Sequence, residues 1–452
     1  MRRLLENAIV VGLMVAIVFT TLALGTVEAW SVAIFQLIIL FLVSLWAIKA
    51  ILDRHVEIKI PPAALPLGAL VLLGLVQSIS VTGSSGQTSS MSMDVEATRG
   101  AALMIFFLFL AFLIAANFFD RFDRIRILAY FLTLFGLTLA VFAMIQHFTW
   151  EGKMYWFRSV ASAGAGTGGP FVNRNHFAGY MEMLIPIPLA LALSRAVRSE
   201  ARLFFGFAAA IMSMALIASL SRGGMVSLFA GLLFLGAMTL SRQRSSSHVD
   251  GESRSGLRAA LVIIAMLVAI AAGVVWIGAD FDVMKRLAQD PITTDLATDR
   301  RGVWRDTLTM FRANPIVGIG LGAFETVYPV YGRGDGSLLI QFAHNDYLQV
   351  LSDGGILGGA IALWFLLVIA RGMAQAAKAS NHFLRAVGVG SAAGIFALLV
   401  HSIFDFNLQI PSNALLFLVL SAIVMRVSSE VTASEATDGR HARVRREAFA
   451  AH

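Results

Sequence analysis

A few polar side chains that are able to do chemistry interrupt a chain that is otherwise strongly apolar. His344 begins a His-Asn-Asp-Tyr-Leu-Gln run at the end of the largest polar segment, and Arg222 lies between two apolar runs in Ser-Arg-Gly-Gly. The neighbours Arg300 and Arg301 lie in that same large segment. A neutral imidazole can take a proton from a hydroxyl, and guanidinium groups bind phosphate through a planar fork of donors. These residue types point to a site for an anionic, lipid-linked substrate.

Each of these residues also has a structural interpretation. Arg222 could reach lipid head groups from a short connection between helices. Arg300 and Arg301 could pair with nearby aspartates, and His344 could cap a helix. These alternatives stay open on the residues alone. The functional interpretation of Arg222 is favoured because it interrupts the pattern of basic residues described below.

Further polar groups lie beside these residues. A run of polar residues directly precedes one apolar segment, whose Pro186 and Pro188 predict a helix kink that could open a polar crevice. Five residues are candidates for lining a cavity: Arg174, Asn175, His176, Asn345 and Asp346. His401 and Asp405 are four residues apart, which predicts a shared helix face and a structural hydrogen bond. No metal-site or nucleotide-binding motif is present in the sequence, so neither a metal nor a cofactor is predicted.

Composition identifies the class of protein. Hydrophobic residues make up 58% of the chain and charged residues only 14%, which predicts an all-α polytopic integral membrane protein. There is no cysteine, which excludes disulfides and thiol chemistry. The net charge of +7 does not indicate nucleic acid, because basic residues in membrane proteins mostly record topology. Membrane lipids are the expected surroundings.

About twelve membrane-spanning helices are predicted, because each apolar run is close to the ~20 residues that cross a bilayer. The predicted spans are 7–25, 30–51, 61–80, 100–119, 127–147, 178–194, 203–220, 225–240, 259–278, 355–371, 386–404 and 411–427. Most Lys and Arg residues fall on one side of the alternating connections, which predicts that both termini are cytoplasmic. By the same rule, Arg222, the large polar segment and His344 lie on the external side.

This topology predicts four regions. Residues 1–278 hold nine transmembrane helices, and 279–354 form a large, mainly helical periplasmic loop that carries the catalytic residues. Residues 355–427 hold three more transmembrane helices, and 428–452 form a disordered cytoplasmic tail. Within the loop, Val303, Trp304, Leu308 and Phe311 recur at helical spacing, which predicts an amphipathic helix that stops at Asn314 and Pro315.

The chain resembles the O-antigen ligase/polymerase superfamily of bacterial membrane glycosyltransferases. The resemblance covers residues 170–355 best and depends on the order of several stretches: Asn173–Gly179, Ser221–Gly224, Arg300 with Trp304, Asn314–Gly322 and His344–Leu348. It implies transfer of a glycan from undecaprenyl pyrophosphate to an acceptor hydroxyl at the outer face of the bacterial inner membrane, without metal or nucleotide.

The resemblance also implies roles for residues. Arg222 and Arg300 match the arginines expected to bind the pyrophosphate, and Arg301 is the alternative to Arg300. His344 matches the histidine expected to act as the base on the acceptor hydroxyl, and direct displacement would invert the anomeric configuration. Arg174 and His176 match looser motifs. Fixed arginines can offset the charge of a leaving pyrophosphate in place of a metal.

Several functions fit this resemblance. An acceptor such as lipid A-core would make the chain an O-antigen ligase, which is favoured. A second lipid-linked glycan would make it a polymerase of O-antigen or exopolysaccharide, and a protein hydroxyl would make it an O-oligosaccharyltransferase. A transporter or flippase of a lipid-linked anion is the alternative of another class, but the sequence has neither matching halves nor frequent charges within its spans.

Overall fold

The computed structural model describes residues 1–55, 58–82, 88–159, 168–245, 300–333 and 339–450. Almost all regular structure in these ranges is helical, which confirms the predicted all-α membrane fold. The exception is a short antiparallel hairpin of Ser80–Thr82 (β1) and Thr88–Ser90 (β2).

Nine α-helices precede residues 246–299, which the structure does not describe. Their bounds are Arg2–Leu22 (α1), Ala29–Asp53 (α2), Ala64–Gln77 (α3), Val95–Phe118 (α4), Phe122–Phe148 (α5), Arg174–Leu184 (α6), Pro186–Leu193 (α7), Ser199–Ala218 (α8) and Arg222–Ser245 (α9). Five more α-helices follow residues 246–299: Arg300–Ala313 (α10), Phe324–Tyr331 (α11), Asp346–Ala376 (α12), His382–His401 (α13) and Pro411–Ala450 (α14).

Ten helical segments in the described ranges are long and apolar enough to cross a membrane. They correspond to ten of the twelve predicted spans, with α6 and α7 counted as one. The predicted span 61–80 is a shorter apolar helix, α3, of 14 residues. The predicted span 259–278 lies outside the described residues, as does the start of the predicted loop at 279–299.

The helix break at Pro186 was predicted and is confirmed. Helix α6 ends at Leu184 and α7 begins at Pro186, because a proline inside a helix removes a backbone donor and clashes with the preceding turn. Both pieces are among the most deeply buried parts of the bundle, together with α13 and the first part of α14. Helix α13 packs against α6, α7, α9 and α14, so it forms the centre of the fold.

Charged side chains gather at one end of the bundle. An ion-pair network there joins α1 and α2 to the connections around α3, α4 and α5: Arg2, Glu6, Lys49, Asp53, Lys59, Asp120 and Arg124. Arg426 of α14 donates to the Asp120 carbonyl at the same end, whereas α14 begins at Pro411, about 22 Å away along its axis. The beginning of α14 therefore lies at the opposite end. That the ion-pair end faces the cytoplasm stays a prediction.

The polar segment before α12 has its own small apolar core, built by α10, α11 and their flanks. The predicted amphipathic helix is present as α10 and ends before Asn314. Its buried face differs from the predicted stripe and contains Val303, Asp306, Thr307 and Met310. Asp306 is buried, and its carboxylate accepts hydrogen bonds from the Tyr328 hydroxyl and the Arg333 backbone and pairs with the Arg333 side chain. These contacts offset the cost of burying the charge.

Two glycines allow this segment to dock on a break in α12. The backbone donors of Ile319 and Gly320 reach the carbonyls of Ser352 and Asp353 at 2.9 and 3.0 Å. Gly318 (φ +73°) and Gly355 (φ +61°) have left-handed backbone conformations. A Cβ on Gly318 would lie 2.4 Å from backbone atoms of Asp353, and a Cβ on Gly355 would lie 2.4 Å from backbone atoms of Ile316. Only glycine fits both the conformation and the space. Gly355 is therefore a break in α12, after which the helix continues.

The end of the chain differs from the prediction. Disorder was predicted from residue 428, but α14 continues through this region to Ala450. Extending an existing helix needs no new nucleus, and the tail contains many good helix formers such as Ala, Glu and Arg.

Candidate functional site

Asp405 is the centre of a polar cluster at the end of the bundle opposite the ion-pair network. Its side chain is only 1% exposed, and it lies in the turn between α13 and α14. Asn175 donates to its Oδ2 at 2.5 Å, and the Arg300 guanidinium lies 3.6 Å from the same oxygen. His344 Nδ1 and His176 Nε2 lie 3.5 and 4.0 Å from Oδ1. One carboxylate thus brings together side chains from α6, α10 and the segment before α12.

The turn that carries Asp405 is fixed by the beginning of α12. Asn345 caps α12 by accepting from two backbone donors, and its amide donates to the Ile403 carbonyl at 2.9 Å. Asp346 accepts from the Ser402 hydroxyl and from the Leu408 backbone. Both side chains are buried. The structure therefore shows that Asn345 and Asp346 hold the turn that carries Asp405, and a cavity lined by them stays a prediction.

His344 adopts a strained backbone next to this cap. Its φ of +50° is unusual for a residue with a side chain, and such strain persists only where surrounding contacts hold it. The His344 and His176 rings both meet Phe406 edge to face, with centroids 4.9 and 4.8 Å away. The His344 side chain remains 32% exposed. One side of the ring is thus fixed by Asp405 and Phe406 while part of it still faces outward.

Arg222 is connected to the cluster through its neighbour Ser221. The Ser221 hydroxyl accepts from the Gly224 backbone, which caps α9, and donates to the Asn175 amide oxygen at 2.8 Å. Asn175 in turn donates to Asp405. Arg222 is the exposed first residue of α9, one position beyond this chain of hydrogen bonds.

The two arginines of α10 are placed differently. Arg300 donates to the Phe404 carbonyl at 2.6 Å as well as facing Asp405. Arg301 is an exposed neighbour on the same first turn, and Arg174 is exposed on the first turn of α6. Among the described residues, no group of three or more His, Cys, Asp or Glu side chains is arranged to hold a metal ion.

Residues 207–363 match the family model described as O-antigen ligase, which spans about a third of the chain. Within the chain, this matched segment supports a relationship to the O-antigen ligase superfamily. No curated protein matches the chain. The family match supports a bacterial glycosyltransferase of the general O-antigen ligase/polymerase type, a type that works with a lipid-linked glycan and an acceptor. The ten candidate spans among the described residues indicate a multi-pass membrane protein.

The range matched by the O-antigen ligase family model contains some of the candidate residues and leaves others out. It includes Arg222, Arg300, Arg301 and His344. Asn175 and His176 precede it, and Asp405 follows it. The structure therefore extends the candidate site beyond the matched segment on both sides.

The interpretation of His401 and Asp405 as a pair on one helix face is wrong. Helix α13 ends at His401, so Asp405 belongs to the following turn. The His401 ring instead contacts Glu182 of α6. Asp405 was not predicted to be the centre of the site, and Glu182 was not predicted to belong to it. The signal for Asp405 is a lone acidic residue between two phenylalanines directly after a span, and the signal for Glu182 is a charge inside a span.

The surroundings of Asp405 favour the ionised form of its carboxyl group. Burial would raise its pKa, but the contact with His344 and the charges of His176, Arg300 and His401 outweigh it, and the pKa lies well below its usual range. A group with a depressed folded pKa stabilises the protein above its unfolded pKa of about 3.9, and this contribution is lost as pH falls toward the folded pKa.

Asp405→Asn is therefore expected to destabilise the protein by about 1–3 kcal/mol at neutral pH, because His344 and Arg300 lose their anion. Thermal unfolding in detergent should show the same difference between Asp405→Asn and the unmodified chain from pH 5 to pH 8, and a smaller one only in stronger acid. A difference that disappears near pH 6 would show that Asp405 takes up a proton there, against the expected depression of its pKa.

Proposed function

We propose that the protein transfers a glycan from undecaprenyl pyrophosphate to an acceptor hydroxyl at the external face of the bacterial inner membrane, with lipid A-core as the favoured acceptor. The observation that carries this proposal is the convergence of His344, Arg300 and Asn175 on the buried Asp405. A base candidate and a phosphate-binding candidate, 44 residues apart in sequence, share one anion at one end of the bundle.

His344 acts as the base in this proposal. Asp405 faces Nδ1 and favours the tautomer that carries the proton there, so that Nε2 is left as the acceptor. The ionised carboxylate also stabilises the imidazolium formed in the reaction. As the acceptor hydroxyl approaches the partly exposed ring, its proton moves to Nε2 and its oxygen attacks the anomeric carbon.

The arginines bind the leaving group. The bond between the anomeric carbon and the pyrophosphate oxygen breaks as the new glycosidic bond forms on the opposite face, which inverts the configuration. The electron pair remains on the pyrophosphate oxygen, and guanidinium donors offset the charge that develops there. Arg300 is fixed at the cluster by Asp405 and the Phe404 carbonyl, and Arg222 begins α9 beside Ser221. Arg301 is the alternative to Arg300.

We also propose how the helix bundle is oriented in the membrane. The cluster end of the bundle faces the periplasm, and the ion-pair end, with both termini, faces the cytoplasm. This orientation is supported by the basic residues Arg2, Lys49, Lys59, Arg124 and Arg426, all at the ion-pair end. Such residues prefer the cytoplasmic side. The helices α10 and α11 are then periplasmic, in the middle of the predicted loop 279–354.

A direct test is the identity of the product. The purified chain in proteoliposomes is supplied with a lipid-pyrophosphate-linked glycan and, separately, with lipid A-core, a second lipid-linked glycan or a serine- and threonine-containing peptide. Mass spectrometry should find the glycan on lipid A-core, with and without a chelator of divalent metal. Glycan on another acceptor would make the chain a polymerase or an O-oligosaccharyltransferase. Donor that crosses the bilayer without any transfer would support the flippase alternative and overturn the proposal.

A further inference from the structure

A second buried ionisable pair lies beneath the cluster and has no role in the chemistry described so far. Glu182 of α6 and His401 of α13 are 0% and 1% exposed. His401 Nδ1 lies 3.1 and 3.2 Å from the two carboxylate oxygens of Glu182. Both residues lie in candidate membrane spans, where ionisable side chains are costly and usually have a function.

His401 contacts both halves of the candidate site. Its backbone carbonyl accepts from Phe404 and Asp405 at 2.8 and 3.1 Å, so it forms the base of the turn that carries Asp405. Its Nε2 lies against Gly223, where an added Cβ would be 2.8 Å from that nitrogen. Gly223 follows Arg222 directly. His401 therefore contacts the turn of Asp405 through its backbone carbonyl and the first turn of α9 through its ring.

The close fit at this junction is maintained by small residues. The Cβ of Ala178 would lie 2.5 Å from a Cβ on Gly224, and Asn407 Oδ1 would lie 2.2 Å from one on Gly179. Gly179 and Gly224 carry no side chain, and this allows α6 to approach α9 and the turn after α13 so closely. A rotation of the His401 ring would therefore displace the first turn of α9.

We infer that Glu182 and His401 are positioning residues, which hold the Arg222 half of the site and the Asp405 half in one fixed arrangement. Glu182 fixes the ring through Nδ1, the ring packs against Gly223, and the backbone carbonyl of the same residue, His401, holds the turn. The inference rests on the proposed function, since it assigns to the pair the geometry that glycan transfer needs. Neither residue touches the substrate.

Variants of the pair separate positioning from simple structural support. Glu182→Gln keeps the size of the side chain and removes its charge, and turnover per folded molecule is expected to fall on the order of 10- to 100-fold, as for other small displacements of reacting groups. The KM for the acceptor should stay unchanged. His401→Asn keeps a donor near the position of Nδ1 and should retain more activity than His401→Leu. Ser213→Ala, in which a buried serine loses only a bond to its own helix, is the control.

A distance measurement tests the inference without any activity. Because the chain has no cysteine, spin labels can be placed at the exposed positions Val226 of α9 and Ile403 of the turn through Val226→Cys and Ile403→Cys. One narrow distance distribution is expected, and Glu182→Gln should broaden or shift it while Ser213→Ala does not. An unchanged distribution with unchanged turnover in Glu182→Gln would overturn the inference. If the chain moves no glycan at all, the proposed function fails, and the distance alone decides the positioning role.

Discussion

Replacing His344 with alanine is expected to reduce the rate of glycan transfer between about 100- and 10,000-fold, the range typical of a lost general base. Among the described residues of the cluster, His344 combines contact with Asp405, partial exposure and an imidazole ring, a group that can act as a general base. Binding of the lipid-pyrophosphate donor should change little, because the arginines remain. Single-turnover transfer and donor binding, measured separately in proteoliposomes, would show this division.

His382 offers a matched control for this variant. It is an exposed histidine on the first residue of α13, about 28 Å from the His401 end of the same helix. His382→Ala should transfer glycan at the rate of the unmodified chain. If His344→Ala did so as well, with the protein folded, His344 would not be the base.

Arg300→Ala is expected to lower transfer about 100- to 1,000-fold, the cost of removing one preorganised group that stabilises developing negative charge. The side chain is fixed by Asp405 at 3.6 Å and by the Phe404 carbonyl at 2.6 Å, so little reorganisation is needed when pyrophosphate arrives. Arg300→Lys should restore only part of the activity, because an ammonium group lacks the planar fork. Unlike His344→Ala, this variant should also weaken donor binding.

A variant of the adjacent Arg301 tests which of the two arginines of α10 binds the leaving pyrophosphate. Arg301 has the same chemistry, the same helix turn and an exposed position, so Arg301→Ala controls for the loss of one positive charge at this membrane face. We expect Arg301→Ala to retain most of the transfer activity. A large loss in Arg301→Ala with little change in Arg300→Ala would exchange the roles of the two residues.

The spans and their order were predictable because bilayer thickness fixes the length of an apolar helix. Ten helices agree with predicted spans, and Pro186 breaks one of them as expected. Helix α3 is shorter than predicted, because β1 takes Ser80 and the residues beyond it. Hydropathy alone does not separate the end of a helix from an apolar connection.

The candidate site was predictable only in part. His344 and Arg300 were noticed because charged and polar residues are conspicuous among apolar runs, and the structure places both on one carboxylate. That carboxylate was missed as the centre, because the spacing of four positions from His401 to Asp405 suggested a continuing helix. The end of α13 depends on contacts with Asn345 and Asp346, more than 50 residues earlier in the sequence. Such contacts leave no local pattern.

The most direct test of the account is an experimental structure of the protein with undecaprenyl pyrophosphate bound. We predict that the diphosphate lies within hydrogen-bonding distance of Arg222 and Arg300, with His344 facing the position of the anomeric carbon. A diphosphate bound at the ion-pair end, or in a pocket away from Asp405, would contradict the proposed convergence of these residues in one site.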